Sequence, residues 1–220
     1  DPGEGQGAAL SAVDGAIDGS EENVAGTVTT GALSIGTRTI YVRAKSSQGG
    51  WGETSTISLE VTYTGPSWYI SQDGNDSTGD GTKDNPFATI QKGIDSSSNG
   101  DSVFVAAGTY TENINFNGKN IVVLGVDRET TIIQASSSNN PTVMFTQGED
   151  SSAELNGFTL TGGRGAIYTY PSFGTTSPTL RNLIILGNSS TYDGGGMLLR
   201  KCDSLIENVQ VINNSTTNDG

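Results

Sequence analysis

The sequence predicts an all-β chain in two parts, a small antiparallel β-sandwich and then a parallel β-helix started by a short capping helix. Three observations carry this prediction. First, three segments near the end repeat one pattern: Leu155-Asn156-Gly157-Phe158-Thr159-Leu160, Leu180-Arg181-Asn182-Leu183-Ile184-Ile185 and Ile206-Glu207-Asn208-Val209-Gln210-Val211. Their leading residues lie 25 and 26 positions apart, and Phe158, Leu183, Val209, then Leu160, Ile185, Val211, keep step. A fixed period in this range means one structural unit stacked on copies of itself. Second, each copy is a short β-type apolar run followed by Gly, Asn, Ser and Thr, too short for a pair of helices. A solenoid fits, because each coil covers the apolar face of the one before it. Third, apolar residues make up only 33 % of the chain, and 31 residues are Gly. That is thin for a thick core and enough for a narrow column with polar corners. The regular apolar spacing argues against disorder, the other reading of such a composition.

Residues 1–64 form the first unit. Thr37 to Ala44 alternates apolar and polar residues, as a half-buried strand does, and Thr54 to Tyr63 does so through Ile57, Leu59 and Val61. Val24 to Thr29 is a weaker third strand, Ser46 to Gly50 is a turn, and Trp51 is expected to pack on the sandwich. The words Asp1 to Gly7, Leu33 to Ala44 and Gly50-Trp51-Gly52 resemble the immunoglobulin-like modules of large bacterial surface proteins. That resemblance implies a spacer or adhesive role and a module incomplete at its start.

Residues 65–100 form a linker and capping segment. Gly65 and Pro66 interrupt the strands, so the boundary falls there. Trp68-Tyr69-Ile70 opens the second unit, followed by a polar loop from Asp73 to Thr82. Asn85-Pro86 suits a helix N-cap with Pro at the first helical position, and Phe87, Ile90 and Ile94 share one helical face. A helix here would cover the open apolar end and strand edges of the first coil.

Coils occupy residues 101–220, with earlier apolar runs at Val103-Phe104-Val105, Ile114-Asn115-Phe116, Ile121-Val122-Val123, Ile132-Ile133 and Val143-Met144-Phe145. The period allows roughly five coils, a stack on the order of 25 Å tall. Corner lengths vary: Leu160 to Ile167 is short and Ile185 to Leu198 long, while the period holds. The long corners are Pro171 to Ser177 and Asn188 to Asp193. Asn182 and Asn208 align one coil apart, where stacked asparagines would bond side chain to side chain. The words Trp68 to Thr82, Asn85 to Lys92, Gly100 to Val105, Gly108-Thr109-Tyr110 and Gly118 to Ile121 resemble the start of pectate-lyase-like right-handed β-helices. Gly194 to Leu198 and Ile206-Glu207-Asn208 are similar to repeats of polymorphic outer-membrane proteins. These resemblances cover residues 68–220 and imply fold more than function, because one scaffold serves lyases, hydrolases, adhesins and stalks.

The formal charge is −13, from 24 acidic and 11 basic residues, so no basic footprint for nucleic acid or an anionic membrane is visible. No apolar stretch is long enough to cross a membrane. The single cysteine, Cys202, allows no internal disulfide, and the absence of histidine removes His-dependent triads and His-ligated zinc. Asp73, Asn75, Asp76 and Asp80 supply hard oxygens within one glycine-rich loop, which makes Ca2+ the expected ion. Asp193 and Asp219 are expected to stack in adjacent coils. Tyr168, Tyr170, Phe173 and Tyr192 gather at the long corners and are the expected glycan contacts, because aromatic faces stack on sugars. Arg164, Arg181, Arg200 and Lys201 are the basic residues of the regular coils, with no acidic cluster recognised at matching coil positions and no catalytic residues assigned.

These features predict a bacterial secreted or cell-surface structural or adhesive module that binds a polysaccharide or surface glycan and is non-catalytic in this segment. The bacterial origin and the extracellular location rest on the resemblance. One alternative is the N-terminal part of a calcium-dependent polysaccharide lyase or glycoside hydrolase. Another is a filament-forming protein that self-associates. The abrupt start and end are read as those of a piece of a longer protein.

Overall fold

A computed structural model describes residues 10–12, 24–25, 36–44, 50–61, 65–171, 174–191 and 193–217. The chain divides into two compact units, Asp1–Thr62 and Tyr63–Gly220.

In the first unit, β1 (Ser11–Ala12) pairs antiparallel with β2 (Val24–Ala25), and β3 (Gly36–Val42) with β4 (Ser55–Val61). The β3–β4 register places Ile40 opposite Ile57. Trp51 is 43 % exposed, with the Arg43 guanidinium 5.0 Å from its ring centre, so it caps a surface cation instead of filling a core. The described residues of this unit form two separate two-stranded antiparallel sheets. The rest of the predicted third strand after Ala25 lies outside the described residues.

The second unit starts with β5 (Ser67–Ile70) and α1 (Ile90–Ser96). A first turn follows as β6 (Ser102–Val105), β7 (Gly108–Thr111) and β8 (Ile114–Asn115). The second is β9 (Val122–Gly125), β10 (Thr131–Gln134) and β11 (Val143–Phe145). Next come β12 (Glu154–Thr161) and β13 (Ile167–Thr169), then β14 (Thr179–Leu186), β15 (Ser189–Ser190) and β16 (Met197–Leu199). A last partial turn holds β17 (Ile206–Ile212) and β18 (Ser215–Thr216). Every strand pairing among the described residues of this unit is parallel: a long sheet from β5 through β6, β9, β12 and β14 to β17, joined at β12 by β10 and through it by β7, a second from β8 through β11 and β13 to β16, and β15 with β18. The result is a parallel β-solenoid of right-handed type with about four turns, not the five that the late period suggests.

The late register is as predicted: Leu155 lies on Leu180 and Leu180 on Ile206, with Phe158, Leu183, Val209 and Leu160, Ile185, Val211 in two further files. Leu155, Phe158, Leu160, Leu180, Leu183 and Ile185 are fully buried. Burial of each is worth about 1.5–3 kcal/mol. The second sheet adds Ile114, Val143 and Ile167, and the rings of Phe116 and Phe145 meet 4.2 Å apart between centres. The second sheet also corrects one alignment. Ile167 pairs with Met197, and Leu198 pairs with Tyr168, so the inward residue is Met197. A one-residue shift exchanges the two faces of a strand.

Left-handed backbone bends the long strands at one position per coil. Gly157 has φ 84°, Asn182 φ 49° and Asn208 φ 54°. Glycine and asparagine are the residues that adopt this conformation at least cost. At Gly157 a side chain is also excluded, because a Cβ there or on Gly125 would strike the other's carbonyl oxygen.

The helix begins later than predicted. Its N-cap is Thr89, whose hydroxyl accepts from the Lys92 N–H at 3.3 Å, whereas Phe87 is extended and bridges to Ile70. Long-range carboxylates explain the shift. Asp76 accepts from the Ala88 and Thr89 N–H groups and the Thr89 hydroxyl, and Glu112 accepts from the Ile90 and Gln91 N–H groups at 2.8 and 3.0 Å. Asn85 and Pro86 instead close the preceding loop, the Asn85 carbonyl accepting from Gly81 and the Pro86 carbonyl from Asn75. At the other end the Lys119 ammonium donates to the carbonyls of Ile94, Asp95 and Ser97 at 2.7–2.8 Å. Ile90, Gly93 and Ile94 are buried against the first rungs, where a Cβ on Gly93 would come 2.6 Å from Ile70 and 2.8 Å from Val103.

Candidate functional site

The polar loop expected to hold calcium is built by turn chemistry. The Asn75 side-chain oxygen accepts from the Ser77 and Thr78 N–H groups at 2.8 and 3.0 Å. Asp80 accepts from the N–H and hydroxyl of Thr82, which hold its carboxyl below the usual range. Asp76 points to the start of α1, while the Asp73 N–H is bound by the Ser71 hydroxyl. Such side-chain-to-backbone bonds are the standard means of closing tight turns. Among the described residues no three Asp, Glu or Cys side chains gather as metal ligands. Asp219, the proposed partner of Asp193, lies outside the described residues.

The aromatic corner is better assembled. Tyr168 lies on β13 with its side chain in the outward file that runs from Asn115 through Met144 to Leu198. Its ring meets that of Tyr170 edge to face, 6.2 Å between centres and 80° between planes. Tyr170 is 41 % exposed. The Arg200 guanidinium lies 4.7 Å and the Lys201 ammonium 5.6 Å from the centre of the same Tyr170 ring. Both cations come from the coil above, and the backbone fixes them there. The Arg200 N–H donates to the Thr169 carbonyl at 3.0 Å, and the Lys201 carbonyl accepts from the Thr176 N–H at 3.1 Å. Phe173 and Tyr192, the other expected glycan contacts, lie outside the described residues.

Two further features escaped the sequence reading. The first is an open groove of about 590 Å³ on the outer face of the long sheet, floored by Tyr69, Phe104 and Leu124 and rimmed by Lys83, Pro86 and Val126. The Tyr69 and Phe104 rings stack 5.5 Å apart. The signal was present in Trp68-Tyr69-Ile70 and Val103-Phe104-Val105, because strand alternation forces the middle of three apolar residues outward. The second is an ion ladder in the same outward file. Arg181 bonds Glu154 in the coil below at 3.1 Å and Glu207 in the coil above at 2.8 Å. Arg181 therefore does have acidic neighbours in both adjoining coils, Glu207 in register above it and Glu154 two residues out of register below. Glu154 was missed because it sits two residues before Asn156, the residue directly beneath Arg181.

Fold and surface together define a parallel β-solenoid whose outward files carry aromatic, cationic and ion-paired side chains. A family model described as "Protein of unknown function (DUF1565)" matches residues 72–218. The chain belongs to that family. No curated protein and no solved structure matches it.

Proposed function

We propose that the protein is a bacterial secreted or cell-surface module with a structural or adhesive role, and that its solenoid binds glycans at the corner made by Tyr168 and Tyr170. In this reading the solenoid is of the pectate-lyase-like kind and the first unit is an immunoglobulin-like sandwich acting as spacer. The observation that carries the glycan reading is the exposure of Tyr170 beside Tyr168 at the end of β13. A tyrosine ring has few torsions to order, so its face binds a pyranose at low entropic cost. Calorimetric titration with oligosaccharides of defined composition tests it. Tyr170→Ala should weaken binding about tenfold with an unchanged melting temperature, and a variant that binds like the parent defeats the assignment.

A second reading has a specific observation behind it. Arg181 between Glu154 and Glu207, in line with the groove, is an arginine beside paired acids on one sheet face. That arrangement supports the polysaccharide lyase or hydrolase alternative. Release of unsaturated products from polyuronates, abolished by Arg181→Gln, is its test. Calcium at Asp73, Asn75, Asp76 and Asp80 is a separate proposal, supported by their lone pairs left over from turn bonding, and read by a calcium titration of the melting temperature.

A further inference from the structure

We infer that the Tyr170 corner takes a negatively charged saccharide, with Arg200 and Lys201 as the groups that select the charge. The inference rests on the glycan reading above and names the ligand class for that site.

The argument starts from charge. The chain carries −13, yet two of its 11 basic residues converge on one exposed tyrosine ring. Among the described residues neither Arg200 nor Lys201 has a carboxylate within ion-pair distance. Contrast Arg181, which spends its charge on two glutamates of its own chain. Asp203 lies two residues beyond Lys201, and its carboxylate is within ion-pair distance of neither cation. Both cations are solvent-exposed. Stacking on an aromatic face restrains a long side chain while leaving its N–H groups free.

Backbone geometry points the same way. Lys201 has φ 50°, a conformation that lysine rarely adopts. Its carbonyl bond to Thr176 and the Arg200 bonds to Thr169 hold the pair in place. The main chain that carries both cations is thus fixed, and the Tyr170 ring orients their charged ends. Guanidinium matches carboxylate or sulfate with two parallel hydrogen bonds, and the ammonium adds a point charge.

The net negative charge of the protein opposes a polyanion only at long range. At physiological ionic strength the screening length is about 8 Å, so distant acids are muted while groups in contact are not. A sugar ring against Tyr168 and Tyr170 with its acidic group at Arg200 and Lys201 uses both halves of the site. The shared chemistry is an anionic oxygen cluster on a pyranose, supplied by a uronate carboxylate or a sulfate ester.

The test titrates the full chain with three oligosaccharide sets: uronate-containing, sulfate-ester-containing and neutral. Compared with the parent are Tyr170→Ala, the double variant Arg200→Gln/Lys201→Asn, and Lys92→Gln on α1 as a charge control outside the corner and the groove. Asparagine suits the left-handed backbone at position 201, so the double variant keeps its fold. The expected result is binding of at least one acidic set about tenfold tighter than the neutral set. That preference should vanish in the double variant and persist in Lys92→Gln. Whichever acidic set binds identifies the source of the anion. Equal binding of acidic and neutral sugars, lost in Tyr170→Ala but not in the double variant, overturns the charge assignment and leaves the glycan reading standing. Acidic binding reduced equally by Lys92→Gln and by the double variant shows diffuse attraction and also overturns it. Failure of all three sets to bind defeats both.

Discussion

Asn182 shows how much one residue carries in this fold. Its backbone makes the bend, and its side chain joins two neighbours. The amide donates to Asn156 at 2.9 Å and its oxygen accepts from Asn208 at 2.7 Å. The column ends under the Arg128 guanidinium, which donates to the Asn208 carbonyl at 3.1 Å. Replacing Asn182 by Ala forfeits left-handed tolerance and both bonds, and should cost about 2 kcal/mol in urea unfolding. Asn182→Gly keeps the bend and loses only the bonds, so about half that cost should remain. The pairing of Asn182 and Asn208 was legible from their spacing alone. Their link to Asn156 was not, because the residue aligned with Asn182 is Gly157. A second column escaped notice altogether. Asn188, almost fully buried, accepts from the Gly163 N–H and donates its amide to Asn214 one coil above. Gly187-Asn188-Ser189-Ser190 and Asn213-Asn214-Ser215-Thr216 carry that repeat in plain view. Neither segment carries the apolar run by which the rungs align, and only the first falls in the expected corner from Asn188 to Asp193.

At the scale of the element, α1 is seven residues long and gains little from its own hydrogen bonds. Packing and charged ends hold it. Lys119→Met removes the ammonium that satisfies three terminal carbonyls and should lower stability by about 1–2 kcal/mol, read from denaturant midpoints. The opposite end is sensitive to pH. Burial raises the Glu112 carboxyl above its ordinary value, aided by the Asp76 charge and opposed by the N–H bonds from Gln91 and Ile90. A raised folded-state value means that the folded protein holds this proton more tightly than the unfolded chain. Its contribution is therefore fully present below the ordinary value of 4.5 and is lost as pH rises through the raised one. The melting-temperature difference between the parent and Glu112→Gln should accordingly shift against the parent on going from pH 4 to pH 7. The later helix start has the same origin. Asn85-Pro86 satisfies the local rule, but Asp76 and Glu112 lie at a distance in sequence that no local rule spans.

Across the solenoid, stability is a sum of coils and the interfaces between them. Leu180 sits in the middle file between Leu155 and Ile206, so Leu180→Ala should cost about 2–5 kcal/mol and weaken both adjoining interfaces. Far-ultraviolet circular dichroism during urea unfolding checks this. Legibility at this scale followed regularity. The last three rungs advance by 25 and 26 residues and could be aligned by eye. Earlier rungs, with Val103 under Val123 and Val123 under Leu155, advance by 20 and 32, which hid them. The aromatic corner was half legible. Tyr168 and Tyr170 announce themselves by type, whereas Arg200 and Lys201 reach Tyr170 only because the next coil lies above it.

That unequal advance leaves the pairing of β6, β9 and β12 intact, since all surplus chain is discharged between strands. Ser138, Asn139 and Asn140, exposed between β10 and β11, occupy such an outlet. Descendants of this chain can therefore acquire or shed whole excursions there without renegotiating a single rung, much as shelving keeps its uprights while its brackets are exchanged. Diversity in this lineage should accumulate at the rims of the turns, and the files of buried side chains should stay nearly still.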